Sequence, residues 1–440
     1  MDRLELKKSV MALIDGQREA IIAVGRDIYS TPEYGYKEFE TSKKLGAYLK
    51  ELGLEVEENI AITGMKAVAG GKAEGPCVAI LGELDAISCA NHDDAVETGA
   101  VHACGHNIQV AGMYGAALGL VRSGAIKELA GRVSFIGTPA EEYIELEYRD
   151  ELRKAGKITY FGGKQELIAK GYFDDVDIAM MFHALDMGEK SMLIGPESNG
   201  FIGKKVRYVG RESHAGSAPE QGINALNAAT LGINNIHAQR DTFKDSDRVR
   251  VHPIITKGGD IVNSVPADVR LESYVRARTI DGMLDANMKV DRSLKAGAMA
   301  IGAEVQITSI PGYLPILRNI DLDNLFRDNL HLLGLGPEDL IEGGDFTGSF
   351  DFGDISHLMP AIHPMAGGVT GNLHTRDFKT IDEERAYIIP AKAMALTVID
   401  LLYGKAEEAR RVLDNFEPKM TKEGYLEFLQ SVDAREIYKP

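Results

Sequence analysis

Short apolar runs that alternate with helical segments are the feature of this sequence that most limits its fold. Strands are predicted at 77–87, 132–142 and 177–185, and helices at 111–124 and near 164–171. Strands that alternate with helices in this way form a parallel sheet that helices cover on both faces. The pattern therefore predicts an α/β fold built on a mostly parallel sheet.

Helical spacing of apolar residues also marks both ends of the chain. It predicts helix within 1–29, a segment that lacks the uninterrupted apolar run of a signal peptide. Residues 18–55 are predicted to form two helices around a turn at 31–33, followed by a pair of strands. A long final helix is predicted from about 382 to 402.

The middle of the chain has a different order of predicted elements. Residues 198–312 follow the order β-α-β-β-α-β, which is the ferredoxin-like arrangement of a complete small α+β domain. The whole chain has 440 residues, more than one hydrophobic core usually organises. We therefore predict a discontinuous main domain of residues 1–197 and 313–440, into which a domain of residues 198–312 is inserted.

Charge and composition disfavour several classes of partner. The formal net charge of −17 opposes binding to nucleic acid and to an anionic membrane. The sequence has no run that approaches the roughly 18 consecutive apolar residues of a membrane span. Three cysteines, Cys77, Cys89 and Cys104, are too few for a disulfide framework and indicate a reducing compartment. We therefore expect a soluble, cytoplasmic protein that acts on small molecules.

Reactive side chains follow the predicted strands of the main domain. In parallel sheets, ligands bind beyond the carboxyl ends of the strands, so residues there are candidates for a site. They are Glu83 and Asp85 after the first strand, Glu141 and Glu142 after the second, His183 after the third, and Cys104 and His106 in the loop between the first two. Any one of them alone is better explained as structural, but their convergence predicts a metal centre.

The spacing of Cys104 and His106 suits a turn that presents both side chains to one metal or to two neighbouring metals. Thiolate and imidazole together favour zinc, although manganese, cobalt or nickel also fit a site that carboxylates complete. Glu141 and Glu142 offer two roles at the end of a strand, one as a ligand and one as a general base. A solvated acidic strand end remains the alternative explanation of this pair.

Seven motifs in order make the chain resemble the M20 peptidase and amidohydrolase family, in its aminoacylase-like and aminobenzoyl-glutamate-hydrolase-like branch. They are GELDAI at 82–87, GAVHACGHN at 99–107, GTPAEE at 137–142, MMFHAL at 180–185, SHAG at 213–216, NSVP at 263–266 and GNLHT at 371–375. The resemblance implies that the main domain is catalytic and that the inserted domain is a lid that also dimerises.

The resemblance also implies roles for individual residues. Two divalent metal ions per subunit, zinc or manganese first and cobalt or nickel next, would be held by Cys104, His106, Glu142, His183 and His374. Glu141 would be the general base and acid, and Asp85 would orient a ligand. His214 would cross into the partner's site to stabilise an oxyanion, and Asn263 and Arg276 would bind a substrate carboxylate.

Several positions depart from the family pattern. Asn107 stands where an Asp is usual, and Glu83 stands where some relatives carry a metal-binding His, which leaves Glu83 as a structural acid or an extra polar contact. His102 is read as a packing residue or a support for a ligand. The remaining histidines are interpreted as structural: His92, His237, His252, His331, His357 and His363.

The sequence is compatible with three functions. The first is hydrolysis of the amide bond of an N-acyl or N-aroyl amino acid, or of a dipeptide-like substrate, by a homodimer or a larger homo-oligomer. The second is deamination of an aminoaromatic acid on the same metals. The third is a non-catalytic metal-binding protein, which the presence of Glu141 argues against because a degenerate homologue would be free to lose its base.

Overall fold

The computed structural model describes residues 1–71 and 73–440, which divide into two compact units. The main unit comprises Met1–Pro196, Leu317–Asp345 and Asp354–Lys419. The inserted unit comprises Glu197–Ile316, Phe346–Gly353 and Met420–Pro440.

The helices confirm the predicted helical segments, but the helix predicted to be the final one, at about 382–402, is followed by two more. Within the described residues, the α-helices are α1 (Arg3–Gly16), α2 (Arg18–Tyr29), α3 (Phe39–Glu51), α4 (His106–Arg122), α5 (Leu146–Lys154), α6 (Gly163–Ala169), α7 (Ala225–Ala238), α8 (Ile280–Ile301), α9 (Ile320–Leu332), α10 (Phe352–Ser356), α11 (Ile389–Leu402), α12 (Glu407–Asn415) and α13 (Lys422–Val432). A π-helical turn, Glu384–Ile388, leads into α11. In the described chain no single helix is long and apolar enough to cross a membrane, and Glu384–Leu402 with Glu407–Asn415 meets that criterion only as a pair bent by 89°.

The strands are mostly short. Within the same residues they are β1 (Val56–Ile60), β2 (Gly64–Gly70), β3 (Ala73–Glu83), β4 (Ile87–Ser88), β5 (Ala100–Val101), β6 (Ala130–Thr138), β7 (Ile178–Met180), β8 (His183–Ala184), β9 (Met192–Ile194), β10 (Glu197–Ser198), β11 (Gly200–Val209), β12 (Arg250–Lys257), β13 (Asp268–Ala277), β14 (Glu304–Pro311), β15 (Leu340–Glu342), β16 (Asp345–Phe346), β17 (Ala361–Ile362), β18 (Met365–Ala366), β19 (Val369–Thr370), β20 (Lys379–Thr380) and β21 (Ala434–Tyr438).

The largest sheet of the main unit has the strand order β1-β2-β6-β3-β7-β17. The four strands from β6 to β17 are parallel to one another, whereas β1 and β2 form an antiparallel pair at one edge. Residues 77–83 of β3 are all buried, as expected for a strand with helices on both faces. The predicted α/β fold with a mostly parallel sheet is confirmed.

Helix α4 lies in the core of the main unit and fixes the position of its first residue, His106. Every residue from His106 to Leu120 is buried. Small residues let α4 pack closely on α11, because a Cβ added at Gly115 would lie 2.8 Å from the Cβ of Ala391. His106 therefore stands on a rigid element.

The inserted unit contains an antiparallel sheet with the strand order β12-β13-β11-β14-β21. Helices α7 and α8 pack against each other and against this sheet. Alternate residues of β13, including Val269, Leu271 and Val275, are buried. The chain order β11-α7-β12-β13-α8-β14 is the predicted β-α-β-β-α-β arrangement.

The bounds of the two units differ from the predicted ones at Glu197, at residues 313–316 and in two longer segments. Phe346–Gly353 and Met420–Pro440 were placed in the main domain by the 313–440 boundary but belong to the inserted unit. The first is tied to it by a hydrogen bond of 2.9 Å from Asn199 N to Gly348 O. The second ends in β21, which pairs with β14 and extends the sheet by one strand.

Candidate metal centre

A glycine turn at the start of α4 brings Cys104 and His106 together. Gly105 between them has a φ of 81°, the left-handed conformation that glycine adopts without strain. A Cβ at this position would also lie 2.9 Å from the Cβ of Ala184. Both side chains are buried. The turn that the sequence predicted between the two residues is therefore present.

Two further histidines reach Cys104 from other elements of the main unit. The Sγ of Cys104 lies 3.4 Å from Nε2 of His183, on β8, and 3.2 Å from Nε2 of His374. His374 lies on the loop after β19, with a φ of 64°, and its backbone N–H donates to Ala103 O at 2.9 Å. The same His374 Nε2 lies 3.0 Å from Oε1 of Glu142.

In His106 and His183, the Nδ1 atom of the ring is hydrogen-bonded to a backbone carbonyl. His106 Nδ1 donates to Asp85 O at 2.8 Å, and His183 Nδ1 donates to Ala184 O at 2.8 Å. In a neutral imidazole the other nitrogen, Nε2, then carries a lone pair. This is the tautomer that a metal ligand requires.

Asp85 connects His106 to the end of β6. One carboxylate oxygen of Asp85 lies 3.2 Å from His106 Nδ1, and the other accepts a hydrogen bond of 2.8 Å from Glu142 N. Asp85 is fully buried. Asp85 thereby contacts two of the expected ligands, His106 through the imidazole ring and Glu142 through the backbone N–H.

His106 Nε2 faces carboxylates. It lies 3.1 Å from Oε2 of Glu83 and 3.8 Å from Oε2 of Glu141. Glu83 is fully buried, with Lys164 Nζ at 2.6 Å and Gln109 Nε2 at 2.7 Å. Glu83 therefore belongs to the same cluster, a position that the sequence left open.

Lys164 and Gln109 are supporting residues that sequence reasoning missed. Gln109 had a signal, because it lies three residues after His106 and so about one turn further along α4. Lys164 had no local signal, since its partner Glu83 is 81 residues away in sequence. Only the fold brings that buried ion pair together.

Burial and neighbouring charges shift the pKa values of these groups strongly. Burial and the carboxylates of Glu142 and Glu141 raise the pKa of the Cys104 thiol well above its usual range. Burial lowers the pKa of His183 to about 4. Burial opposes the charge of His106, but the carboxylates of Glu83 and Asp85 outweigh it and raise its pKa to about 10. The cluster therefore favours a positive charge at its centre.

This donor set fits divalent metal ions. Within the described residues, His106 Nε2 is buried and makes no hydrogen bond while two carboxylates face it, an arrangement that a cation satisfies. Three overlapping sets have all their ligand atoms within 4.8 Å of one another: Cys104, His106 and His183; Cys104, Glu142 and His374; Glu83, His106 and Glu141. Thiolate, imidazole and carboxylate together are ligands that zinc accepts.

His214 and Asn263 lie side by side on the surface of the inserted unit. His214 forms an isolated antiparallel bridge with Ser264, and Asn263 O accepts a hydrogen bond of 2.9 Å from Ala215 N. His214 Nδ1 accepts from the backbone N–H groups of Gly216 and Ser217 at 3.1 and 3.0 Å. The proton of its neutral ring therefore sits on Nε2, which is available as a donor.

Arg276 is on β13 of the inserted unit. Its guanidinium lies over the rings of Phe201 and Tyr274, 5.5 and 5.3 Å from their centroids. Its Nη1 donates to Ser349 Oγ at 3.0 Å, so the glycine-rich loop 346–353 packs beside it. These contacts hold the guanidinium in a defined orientation.

The other residues that the sequence singled out lie outside the ligand sets. His102 is buried near Tyr29, with ring centroids 6.3 Å apart, and burial lowers its pKa to about 3. It belongs to none of the three sets found among the described residues.

Comparison with known proteins shows the relatives of this chain. A family model described as a peptidase dimerisation domain matches residues 197–296. Xaa-Arg dipeptidase of Mus musculus is 30% identical over 425 residues, which cover 91% of this chain and 90% of that protein. N-acetyl-L-cysteine deacetylase of Bacillus subtilis (strain 168) is 25% identical, with 90% and 89% of the two chains covered. A p-aminobenzoyl-glutamate hydrolase chain of Escherichia coli (strain K12) is 24% identical, with 75% and 66% covered.

Solved structures show the same fold. A dinuclear metal-binding peptidase of the M20 family from Bacillus subtilis superposes with a TM-score of 0.66 at 22% identity, covering 88% of this chain and 99% of that one. An aminobenzoyl-glutamate utilization protein from Klebsiella pneumoniae also gives a TM-score of 0.66, at 17% identity and with 88% and 97% covered. With a 30% identical relative matched over almost its full length, this chain belongs to the M20 family and is a metal-dependent amidohydrolase.

Proposed function

We propose that the enzyme cleaves the amide bond of an N-acyl or N-aroyl amino acid, or of a dipeptide-like substrate, at a centre of two divalent metal ions. The observation that carries this proposal is the position of Cys104, whose thiol is shared by two ligand sets. One set contains His106 and His183, and the other contains Glu142 and His374. Two metal ions held by these sets would both have Cys104 as a ligand.

The proposed ligands are Cys104, His106, Glu142, His183 and His374. Divalent ions there, zinc or manganese first and cobalt or nickel next, would supply Lewis-acid polarisation of the scissile carbonyl and would lower the pKa of a water molecule. Asp85 keeps the His106 ring in the tautomer that leaves Nε2 as a ligand.

Glu141 is the proposed general base and acid. It is buried beside the cluster, with its Oε2 3.8 Å from His106 Nε2. From there its carboxylate takes a proton from the attacking water and returns it to the leaving nitrogen. The paired acids thus divide the work, Glu142 as ligand and Glu141 as proton carrier.

His214, Asn263 and Arg276 are the proposed contacts to substrate from the inserted unit. His214 presents its Nε2–H as a donor for the oxyanion that develops on the carbonyl oxygen. Arg276 suits a carboxylate, because an oriented guanidinium can donate two parallel hydrogen bonds to it. A substrate that carries a free carboxylate follows from this pairing.

The inserted unit is also the proposed dimerisation surface of a homodimer. Strand β12 is an edge of its sheet, and an unpaired edge can bind a second strand. Four apolar side chains on β12 and the loop after it are exposed: Ile254, Ile255, Ile261 and Val262, the last with 96% of its surface accessible. Clustered exposed apolar residues mark interaction surfaces. His214 would then act in the partner's site.

A reducing compartment, the cytoplasm, is the proposed location. Cys77, Cys89 and Cys104 are all free and buried. A thiol that serves as a metal ligand must also stay reduced.

The test is turnover of a panel of N-acyl amino acids, N-aroyl amino acids, dipeptides and aminoaromatic acids before and after chelation. We expect two organic products per cleaved substrate, and we expect chelation to abolish and added metal to restore the reaction. Ammonia release from an aminoaromatic acid without a second organic product would replace amide hydrolysis by deamination. Turnover that survives complete metal removal would overturn the proposed centre.

A further inference from the structure

The peptide segment that carries the proposed base has an unusual backbone conformation. Strand β6 ends at Thr138, and Ala140 has a φ of 54°, in the left-handed region that residues other than glycine rarely adopt. Adjacent side chains of an extended strand point in opposite directions. Yet Glu141 and Glu142 both reach the cluster, Glu141 at His106 and Glu142 at His374. Strand β6 has already ended at Thr138, so this alternation does not apply to residues 139–142, and Ala140 turns the chain immediately before the two acids.

Glu38 holds this bend from one side. Its Oε1 accepts a hydrogen bond of 2.7 Å from Ala140 N, and its Oε2 lies at hydrogen-bonding distance, 2.5 Å, from Thr63 Oγ1. Glu38 is fully buried at the N-terminal end of α3, and the cluster described above does not include it. A buried carboxyl is costly to place in a core, so its contact with the bend calls for an explanation.

Arg149 holds the same segment from the other side. It is a fully buried residue of α5, and its Nη1 donates to Ala140 O at 3.3 Å and to Phe161 O at 2.7 Å. Its Nη2 donates to Glu142 O. One guanidinium thus binds the carbonyl groups before and after Glu141.

Two neighbouring glycines lie close to the bend. A Cβ at Gly35 would lie 2.8 Å from Ala140 Cα and 2.5 Å from Arg149 Nη2. A Cβ at Gly163 would lie 1.7 Å from Pro139 O. The neighbouring segments therefore approach Pro139 and Ala140 closely on two sides.

We propose that Glu38 and Arg149 are positioning residues, which hold Ala140 in its left-handed conformation and thereby aim Glu141 and Glu142 at the metal centre. Neither residue touches the reacting atoms in this scheme. Their effect on turnover passes through the backbone of residues 140–142. The inference rests on the proposed function for its kinetic consequences, but its structural consequence can be measured without substrate.

The kinetic test compares Glu38→Ala with Glu38→Gln, which keeps an oxygen that can accept from Ala140 N. We expect Glu38→Ala to lower kcat about 10- to 100-fold with KM changed less than about 3-fold, because a displacement of about 1 Å in a catalytic group costs this much. Glu38→Gln should retain most of the turnover. Glu40→Ala, an exposed residue two positions along, is the matched control and should behave as wild type.

A second pair of variants tests whether Glu38 and Arg149 affect kcat through the backbone conformation of Ala140. Glycine adopts the left-handed conformation freely, so Ala140→Gly should restore part of the kcat lost in Glu38→Ala. Arg149→Lys keeps the charge but lacks the fork that reaches two carbonyls, and it should also lower kcat. If the double variant Glu38→Ala, Ala140→Gly loses as much kcat as Glu38→Ala alone, the proposal is overturned.

Cobalt substitution provides the readout that is independent of turnover. With Co²⁺ as the probe metal, Glu38→Ala should shift the visible absorption of the centre, because Glu142 moves relative to the metal, while Glu38→Gln should not. A shifted spectrum in an enzyme that cleaves no amide would keep the positioning role and sink the proposed function. An unchanged spectrum and an unchanged kcat in folded Glu38→Ala, with wild-type amide cleavage intact, would sink the positioning role alone.

Discussion

The carboxyl of Glu38 is fully buried, and burial together with the nearby charge of Asp85 raises its pKa to about 8. Its ordinary value is 4.5, and the unfolded chain ionises near that value. Between these two values the folded protein binds a proton that the unfolded chain has released. Stability from this group is therefore complete below pH 4.5 and is lost as the pH rises to about 8.

This linkage predicts how Glu38→Gln changes the pH dependence of stability. The glutamine has no proton to lose, so the slope that Glu38 contributes, at most about 1.4 kcal/mol per pH unit, disappears. The thermal midpoint of Glu38→Gln should gain on that of the wild type as the pH rises from about 5 to about 8, with both proteins loaded with metal. Glu40→Gln is the control. Parallel pH profiles for wild type and Glu38→Gln would show that Glu38 is ionised in the folded protein.

The sequence predicted the residues of the cluster but not the residues that contact and position them. Cys104 and His106 were predicted from their spacing, Glu142 and His183 from their positions after predicted strands, and His374 from the family resemblance. The structure brings all five together in overlapping sets. Glu38, Lys164 and Arg149 were not singled out. Each is a buried charged residue whose partner lies far away in sequence or is a backbone group. Residue spacing carries no information about such contacts.

At the scale of elements, the end of β6 illustrates the same limit. The sequence predicted a strand over 132–142. The observed strand, β6, covers Ala130–Thr138 and so ends four residues before the predicted end. Alanine has no intrinsic preference for the left-handed conformation of Ala140, so nothing local marks the bend. Contacts from α3 and α5 determine it. Gly105 is the opposite case, because the spacing of Cys104 and His106 predicted a turn there and glycine adopts its left-handed conformation without strain.

The last strand was missed for a different reason. β21 is five residues long, and its side chains are mostly exposed, so it has no apolar alternation. Its pairing with β14 covers one edge of the inserted unit's sheet. The opposite edge, β12, remains as the strand that can pair with a second copy.

In the whole molecule, the proposed active site depends on the proposed dimer. If His214 acts in the partner's site, each centre takes Glu141 from one chain and His214 from the other. A mixed dimer, in which one chain lacks His214 and the other lacks Glu141, would then contain one complete site. That site would combine the intact Glu141 of the first chain with the intact His214 of the second.

Subunit complementation tests this arrangement. We predict that His214→Ala and Glu141→Gln are each inactive as pure proteins but recover activity when their subunits exchange. The recovered rate should approach about a quarter of the wild-type rate, since about half of the dimers are mixed and one of their two sites is complete. Mixing each variant with itself is the control. A mixture as inactive as its components would place His214 in its own chain's site or outside catalysis.

The Glu141→Gln variant separates proton transfer from metal binding at the proposed centre. Its metal content is measured by inductively coupled plasma mass spectrometry, and its amide cleavage is measured on the best substrate of the panel. The metal content should equal that of the wild type, because Glu141 is assigned to proton transfer and not to ligation. Turnover should fall about 10²- to 10⁴-fold, the usual contribution of a general base. Glu147→Gln, an exposed acid on α5, should leave both unchanged. Loss of metal from Glu141→Gln, or turnover equal to that of the wild type, would contradict the account.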